Sequence, residues 1–122
     1  MNLDVVLERF LVIADVDEEN SAMWIPICSE SIYEIKSKLK EGVNEEQNAA
    51  RLEVAAAVLT LYKFALYSSV VTGAESFSAG EFKLKSDTKN SVEIARKAWQ
   101  EAKNSIADLL KDENFVFERI PF

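Results

Sequence analysis

Histidine is absent from this chain of 122 residues. That removes the Ser-His-Asp triad, the Cys-His dyad, the usual zinc sites and the commonest general base. Cysteine occurs once, at Cys28, so an intramolecular disulfide and a cysteine-rich metal cluster are both excluded. A lone thiol with no histidine to serve as its base reads as a small core residue. Basic residues are in deficit, with 14 Lys and Arg against 21 Asp and Glu, a net charge of -7. Phosphate contacts need Lys and Arg, so a sequence-specific nucleic-acid binder is not expected. Only three glycines and two prolines interrupt the chain, which leaves room for long helices.

A long run without charge is also missing. The most apolar stretch, residues 54–71, holds 14 apolar residues among 18, but Lys63 sits in its middle. A charge at the bilayer centre costs about 3 kcal/mol on insertion scales, so the stretch reads as a buried central helix with no membrane role. The opening Met1-Asn2-Leu3-Asp4 is acidic where a signal peptide needs a basic region, and the expected setting is a reducing cytoplasm.

What is present is 48% hydrophobic residues in a helical pattern, enough for one domain across residues 1–122. The expected architecture is mainly α: four helices, a small β-hairpin between the third and fourth, and an extended C-terminal arm. Leu3, Val6, Leu7, Phe10, Leu11 and Ala14 mark a first helix over about 2–14. The polar run Asp15 to Asn20 reads as an acidic loop. It fails as a calcium loop, because Asn20 stands where glycine is needed and Pro26 where the bidentate glutamate belongs. Pro26 fits only a first turn, so a second helix starts near 25. Cys28, Ile32, Ile35 and Leu39 carry its stripe to about 41, with Gly42 as a left-handed cap.

The third helix is the long one, about 45–72. Asn44 and Gln47 form a capping box, and no glycine or proline follows until Gly73. Leu52, Ala56, Leu59, Leu66 and Val70 make one apolar face; Ala55, Val58, Tyr62 and Ala65 make a second. A helix apolar on two faces is packed on two sides, and one of those sides is open to a neighbouring subunit. Lys63 is either a side chain snorkelling to a solvated groove or one half of an intersubunit ion pair. Phe82 and Leu84 alternate with Glu81, Lys83 and Lys85 after the turn-like Ser78-Ala79-Gly80, which predicts a hairpin over about 74–85. The fourth helix, about 88–111, has Asn90 and Glu93 as a second capping pattern. Its stripe is Val92, Ala95, Trp99, Ala102, Ile106 and Leu109. Residues 113–122 form the arm, with Phe115, Phe117 and Phe122. Burying one such ring is worth about 1.5–3 kcal/mol, so something should cover them.

Tyr33, Tyr62 and Tyr67 are possible acids, but no spacing gathers them. Glu45 and Glu46 are explained by the dipole at a helix start. No catalytic constellation, metal site or cofactor site is expected, and the chain does not read as an enzyme. Charge is unevenly spread: residues 1–30 carry a net -6 and residues 31–122 a net -1. An acidic region against a mixed one suits a heterologous contact between copies.

The stretch Ala55-Ala56-Ala57-Val58-Leu59-Thr60-Leu61-Tyr62-Lys63-Phe64-Ala65-Leu66 breaks at Gly73. Ser76-Phe77-Ser78-Ala79-Gly80-Glu81-Phe82-Lys83-Leu84 follows, then one more helix and the tail Asp112-Glu113-Asn114-Phe115-Val116-Phe117. This order resembles the small head–tail connector, or adaptor, proteins of tailed bacteriophages and prophages. The resemblance implies a non-enzymatic virion subunit made in the bacterial cytoplasm. It assembles as a ring of about twelve copies at the virion neck, between the portal and the tail-completion proteins. Candidate interface residues on that view are Tyr62, Lys63 and Leu66 on the long helix, Phe77 and Phe82 on the hairpin, and Phe115, Phe117 and Phe122 on the arm. The alternative is a small acidic cytoplasmic helical module, of regulatory or immunity type, that inhibits a basic partner through the acids between Asp4 and Glu30.

Overall fold

The computed structural model describes residues 1–16, 18–70 and 88–111, with the side chains of residues 20, 69, 70 and 88–90 left aside. Four α-helices account for most of it: α1 Leu3–Ala14, α2 Ile25–Ser37, α3 Ala49–Val70 and α4 Thr88–Ser105. A 3-10 helix, Glu18–Trp24, leads into α2, and a short one, Ala107–Leu109, follows α4. The protein is mainly α-helical, and no strand occurs among the described residues.

Side-chain contacts fix the helix directions. Asn2, at the start of α1, donates its backbone N–H to Glu53 near the start of α3. Lys36, at the end of α2, lies beside Glu45, just ahead of α3. Arg51 reaches Asp108 beyond the end of α4. Successive helices therefore run up, down, up and down, the order of an antiparallel helical bundle. α3 packs against α1, α2 and α4, while α1 and α2 also pack on each other.

The predicted stripes are the buried ones. Val6, Phe10, Leu11 and Ala14 of α1 are enclosed, as are Cys28, Ile32 and Ile35 of α2 and Ala95 and Trp99 of α4. α3 is enclosed on both predicted faces, through Leu52, Ala56, Leu59 and Leu66 on one and Ala55, Tyr62 and Ala65 on the other. The second face is thus covered within the protomer, by the packing of α4 opposite α1 and α2, and not left for a neighbouring subunit. Phe10, Trp24 and Phe64 form a triangle of edge-on rings with centroids 4.5–6.2 Å apart. Edge contacts set the positive rim of one ring against the negative face of another and add to the burial energy. The triangle ties α1, the entry to α2 and α3 into one cluster. The indole N–H of Trp24 is buried with no hydrogen-bond partner among the described residues.

Several boundaries differ from the sequence reading. α2 ends at Ser37, not near 41, because residues 38–40 pair with the chain after α4. Lys40 N–H donates to the Leu109 carbonyl at 2.9 Å and Lys111 N–H to the Lys38 carbonyl at 2.7 Å, making an antiparallel bridge at Leu39 and Leu110. Backbone groups used in that bridge cannot continue a helix. Gly42 is left-handed as expected (φ 84°), but in the turn after the bridge and not as the helix cap. Asn44 Oδ1 accepts from Gln47 N–H as predicted, yet it caps a turn over 45–48, and α3 begins four residues later than its expected start. α4 begins at Thr88, so Asn90 lies inside it and does not cap it.

α4 stops at Ser105, short of 111. There the Arg51 guanidinium takes the Ser105 carbonyl at 2.7 Å, and the chain tightens into the second 3-10 helix. The acidic run after α1 is also more ordered than a loop. Asp15 adopts a left-handed conformation (φ 56°), Val16 N–H returns to the Leu11 carbonyl and Val16 is buried, the pattern of a Schellman cap. The hairpin over 74–85, the Gly73 cap and the arm over 113–122 lie outside the described residues.

Loss of a ring from the aromatic triangle removes both burial and edge contacts. Phe64→Ala is expected to cost about 3–5 kcal/mol. Val12→Ser, at a position on α1 open to solvent, should stay within about 0.5 kcal/mol of the parent. Urea unfolding followed by circular dichroism separates the two.

Candidate functional site: the polar seam between the second and third helices

A line of polar side chains runs between α2 and α3 through otherwise apolar packing. At its inner end Cys28, Ser31 and Thr60 are fully buried. Thr60 Oγ1 lies 2.8 Å from the Ala56 carbonyl and 2.9 Å from Ser31 Oγ. A hydroxyl has one proton and a carbonyl only accepts, so Thr60 donates to Ala56 and the Ser31 hydroxyl supplies the other bond. Burial pushes the Cys28 thiol up to about 11, partly offset by the Thr60 hydroxyl beside it. A thiol in that state is protonated at neutral pH and packs as an apolar group.

Lys63 occupies the centre of the seam. It is 4% exposed, and its Nζ donates to Glu30 Oε1 at 2.7 Å and to Glu34 Oε1 at 2.8 Å. The two glutamates are four residues apart on α2 and so share one face, one turn above the other. Tyr67, one turn along α3, donates its hydroxyl to the same Glu30 oxygen at 3.4 Å. Burial, and then the negative charge of Glu30, push the Tyr67 phenol above its ordinary value, which keeps it a donor. Glu34 is mostly enclosed, while Glu30 faces water.

The structure thus places the three predicted interface residues of the long helix inside the protomer. Tyr62 and Leu66 are buried in the core, and Lys63 is paired within its own chain. The snorkelling reading and the intersubunit ion pair are both replaced by an internal pair of carboxylates. The cause is α2, which brings Glu30 and Glu34 alongside α3. Phe77, Phe82, Phe115, Phe117 and Phe122 lie outside the described residues. The sequence reading missed Glu30 and Glu34 as partners of Lys63, and it left Tyr67 unassigned. The signal was present as an i, i+4 acid pair on the helix preceding the one with the buried lysine.

A second polar group gathers at the opposite end of the bundle. The Met1 ammonium pairs with Glu45, and Lys36 lies 3.7 Å from the same carboxylate. Hydrogen bonding from the ammonium, together with both positive charges, holds the Glu45 carboxyl below the usual range. Glu53, also buried, accepts the Asn2 N–H at 2.7 Å, while Asn2 Oδ1 caps α1 at Asp4 N–H, 2.8 Å away. Here the carboxylates are taken up by the chain's own donors. No group of three or more metal-ligating side chains occurs among the described residues, and no helix described is long and apolar enough to cross a membrane. Comparison with protein-family models, with curated proteins and with solved structures finds no match for this chain.

Removing one member of a buried pair strands its partner. Lys63→Met is expected to cost about 3 kcal/mol, because Glu34 keeps its charge away from water. Lys63→Met combined with Glu34→Leu should recover most of that loss, as read by urea midpoints. A second outcome concerns acid. Because the Glu45 pKa is lowered on folding, its contribution is complete above the unfolded value of about 4.3 and is lost as pH falls through the folded one. Glu45→Gln should therefore flatten the fall in stability below about pH 4, measured by urea midpoints from pH 6 to 3.

Proposed function

We propose that this protein is a structural subunit of the bacteriophage or prophage neck, a head–tail connector that joins copies of itself, the portal and tail-completion proteins in a ring. The observation that carries the reading is the order of its elements. Three helices of an up-down bundle end in the alanine-rich α3, followed by the Ser76–Leu84 stretch, α4 and the tail Phe115-Val116-Phe117. With Tyr62, Lys63 and Leu66 enclosed, the contacts of such a ring fall to Phe77 and Phe82 and to Phe115, Phe117 and Phe122. The function needs neither a cofactor nor a reacting group. Net negative charge serves a channel through which DNA must pass without being gripped at its phosphates.

A second reading, an acidic helical module that inhibits a basic partner, has one observation in its favour. Residues 10–35 contain six acids and not a single Lys or Arg.

The ring reading is tested by mixing the purified full chain with the portal protein encoded in the same genome and imaging by negative stain. The expected result is an added ring of density on the portal. Truncation after Lys111 should abolish it while circular dichroism of the subunit stays helical. A portal that remains bare, together with a gene lying away from capsid and tail genes, overturns the reading.

A further inference from the structure

We infer that Arg51 is the latch of a clasp, residues 38–40 against 105–111, that opens and closes as one unit while the helical core stays folded. Three stretches distant in the chain meet there: the turn after α2, the first turn of α3 and the end of α4. Two backbone hydrogen bonds, from Lys40 N–H to the Leu109 carbonyl and from Lys111 N–H to the Lys38 carbonyl, join the outer two. The bridge they make, Leu39 with Leu110, stands outside any strand. An isolated pairing of this kind is marginal and needs support from elsewhere.

Arg51 supplies that support. Its guanidinium donates through Nη2 to Asp108 Oδ1 and to the Ser105 carbonyl, both at 2.7 Å, and through Nη1 to Asn48 Oδ1 at 3.2 Å. Nη1 also lies 3.4 Å from Asp108 Oδ2, so both arms of the fork hold the carboxylate. A planar fork fixes several acceptors at once, where a point charge fixes one. Ser105 and Asp108 flank Ile106 and Ala107, the turn that leads out of α4. Leu109, the next residue, carries the carbonyl that Lys40 uses. Holding Ser105 and Asp108 therefore sets Leu109 and Leu110 against the turn after α2.

The same groups make the clasp separable from the core. The Arg51 and Asp108 side chains are 44% and 65% exposed, so water competes for the latch. Leu109 N–H bonds the Ile106 carbonyl and Leu110 N–H the Ala107 carbonyl, the tighter and poorer geometry of a 3-10 turn. The pairing itself buries Leu109 and Leu110, with Leu39 partly covered. Phe10, Leu59, Phe64 and Trp99, fully buried among the four long helices, lie outside it. Segments with few buried apolar groups and bonds open to solvent come apart locally, at a lower cost than global unfolding. Closed, the clasp fixes Lys111 beside the end of α2; opened, it releases both. None of the residues that the ring reading assigns to subunit contacts belongs to it.

The test is native-state hydrogen exchange of the full chain, labelled with nitrogen-15 and followed by NMR at urea concentrations below the unfolding transition. The amides of Lys40 and Lys111 should show matched protection, weaker than that of Leu59 and Trp99. Urea should change it little, because opening the clasp exposes little surface. Arg51→Met and Asp108→Ala should each quicken exchange at both amides by about five- to tenfold, and by the same factor at the two. Arg96→Met, which breaks the pair with Glu93 on the exposed side of α4, should change them less than about twofold. Circular dichroism confirms that the variants remain helical. Lys40 and Lys111 amides that follow Leu59 and Trp99 in protection and in urea dependence overturn the proposal, since the clasp then opens only with the whole bundle. Unequal responses of the two amides, or none to Arg51→Met, overturn it as well.

Discussion

The fold depends on how a helix with little polar surface is kept from water on both sides. α3 buries Leu52, Ala55, Ala56, Ala57, Leu59, Tyr62, Phe64, Ala65 and Leu66, which together span most of its circumference. No single partner helix covers that much surface, because a packed neighbour shields only one stripe. The α1–α2 pair closes one side and α4 the other, and the up-down order follows from placing three neighbours around one centre. The many alanines matter here. Their small side chains let adjacent helices approach closely, while the large rings of Phe10, Phe64 and Trp99 fill the space between.

Within that apolar centre Lys63 carries a buried charge, and its partners decide what that charge does. A buried ion pair adds little net stability over an apolar substitute, because desolvation of both groups offsets their attraction. It does restrict alternatives. Lys63 finds two carboxylates only when Glu30 and Glu34 face it, so a rotation of α2 about its axis or a slip by one turn leaves a charge stranded. The Ser31–Thr60 bond further along the seam acts in the same sense, since a displaced α2 takes the Ser31 hydroxyl away from Thr60 and leaves Thr60 with only the Ala56 carbonyl of its own helix. The seam therefore sets register between two helices whose apolar faces alone tolerate several. Its outer carboxylate, fixed by the same bonds, is the one that meets solvent.

Helix existence, buried stripes and the position of the long central helix were legible before any coordinates. Periodicity reports directly on which face is apolar, and every stripe residue of α1 named from spacing is buried or half-buried. Helix ends were less legible, because non-local groups set them. α2 stops where residues 38–40 pair with 109–111, and α4 stops where Arg51, more than fifty residues away in sequence, takes its last carbonyl. The Asn44 capping signal was real as a hydrogen bond, but it organised a turn ahead of the helix. The aromatic segments placed at 74–85 and 113–122 lie outside the described residues, and the contacts assigned to them rest on the sequence.

By itself the sequence determined the class of the protein. Its apolar spacing demands helices, its scarcity of glycine and proline allows long ones, and its lack of histidine and its lone cysteine rule out histidine-based triads and an intramolecular disulfide. Tertiary structure alone decided which apolar face met which, and so whether α3 kept a face for other subunits. It also decided that Lys63 belongs to Glu30 and Glu34. The reason is physical: periodicity is a local property of one helix, whereas the partner of a buried charge or an apolar face depends on chain segments brought together only by folding.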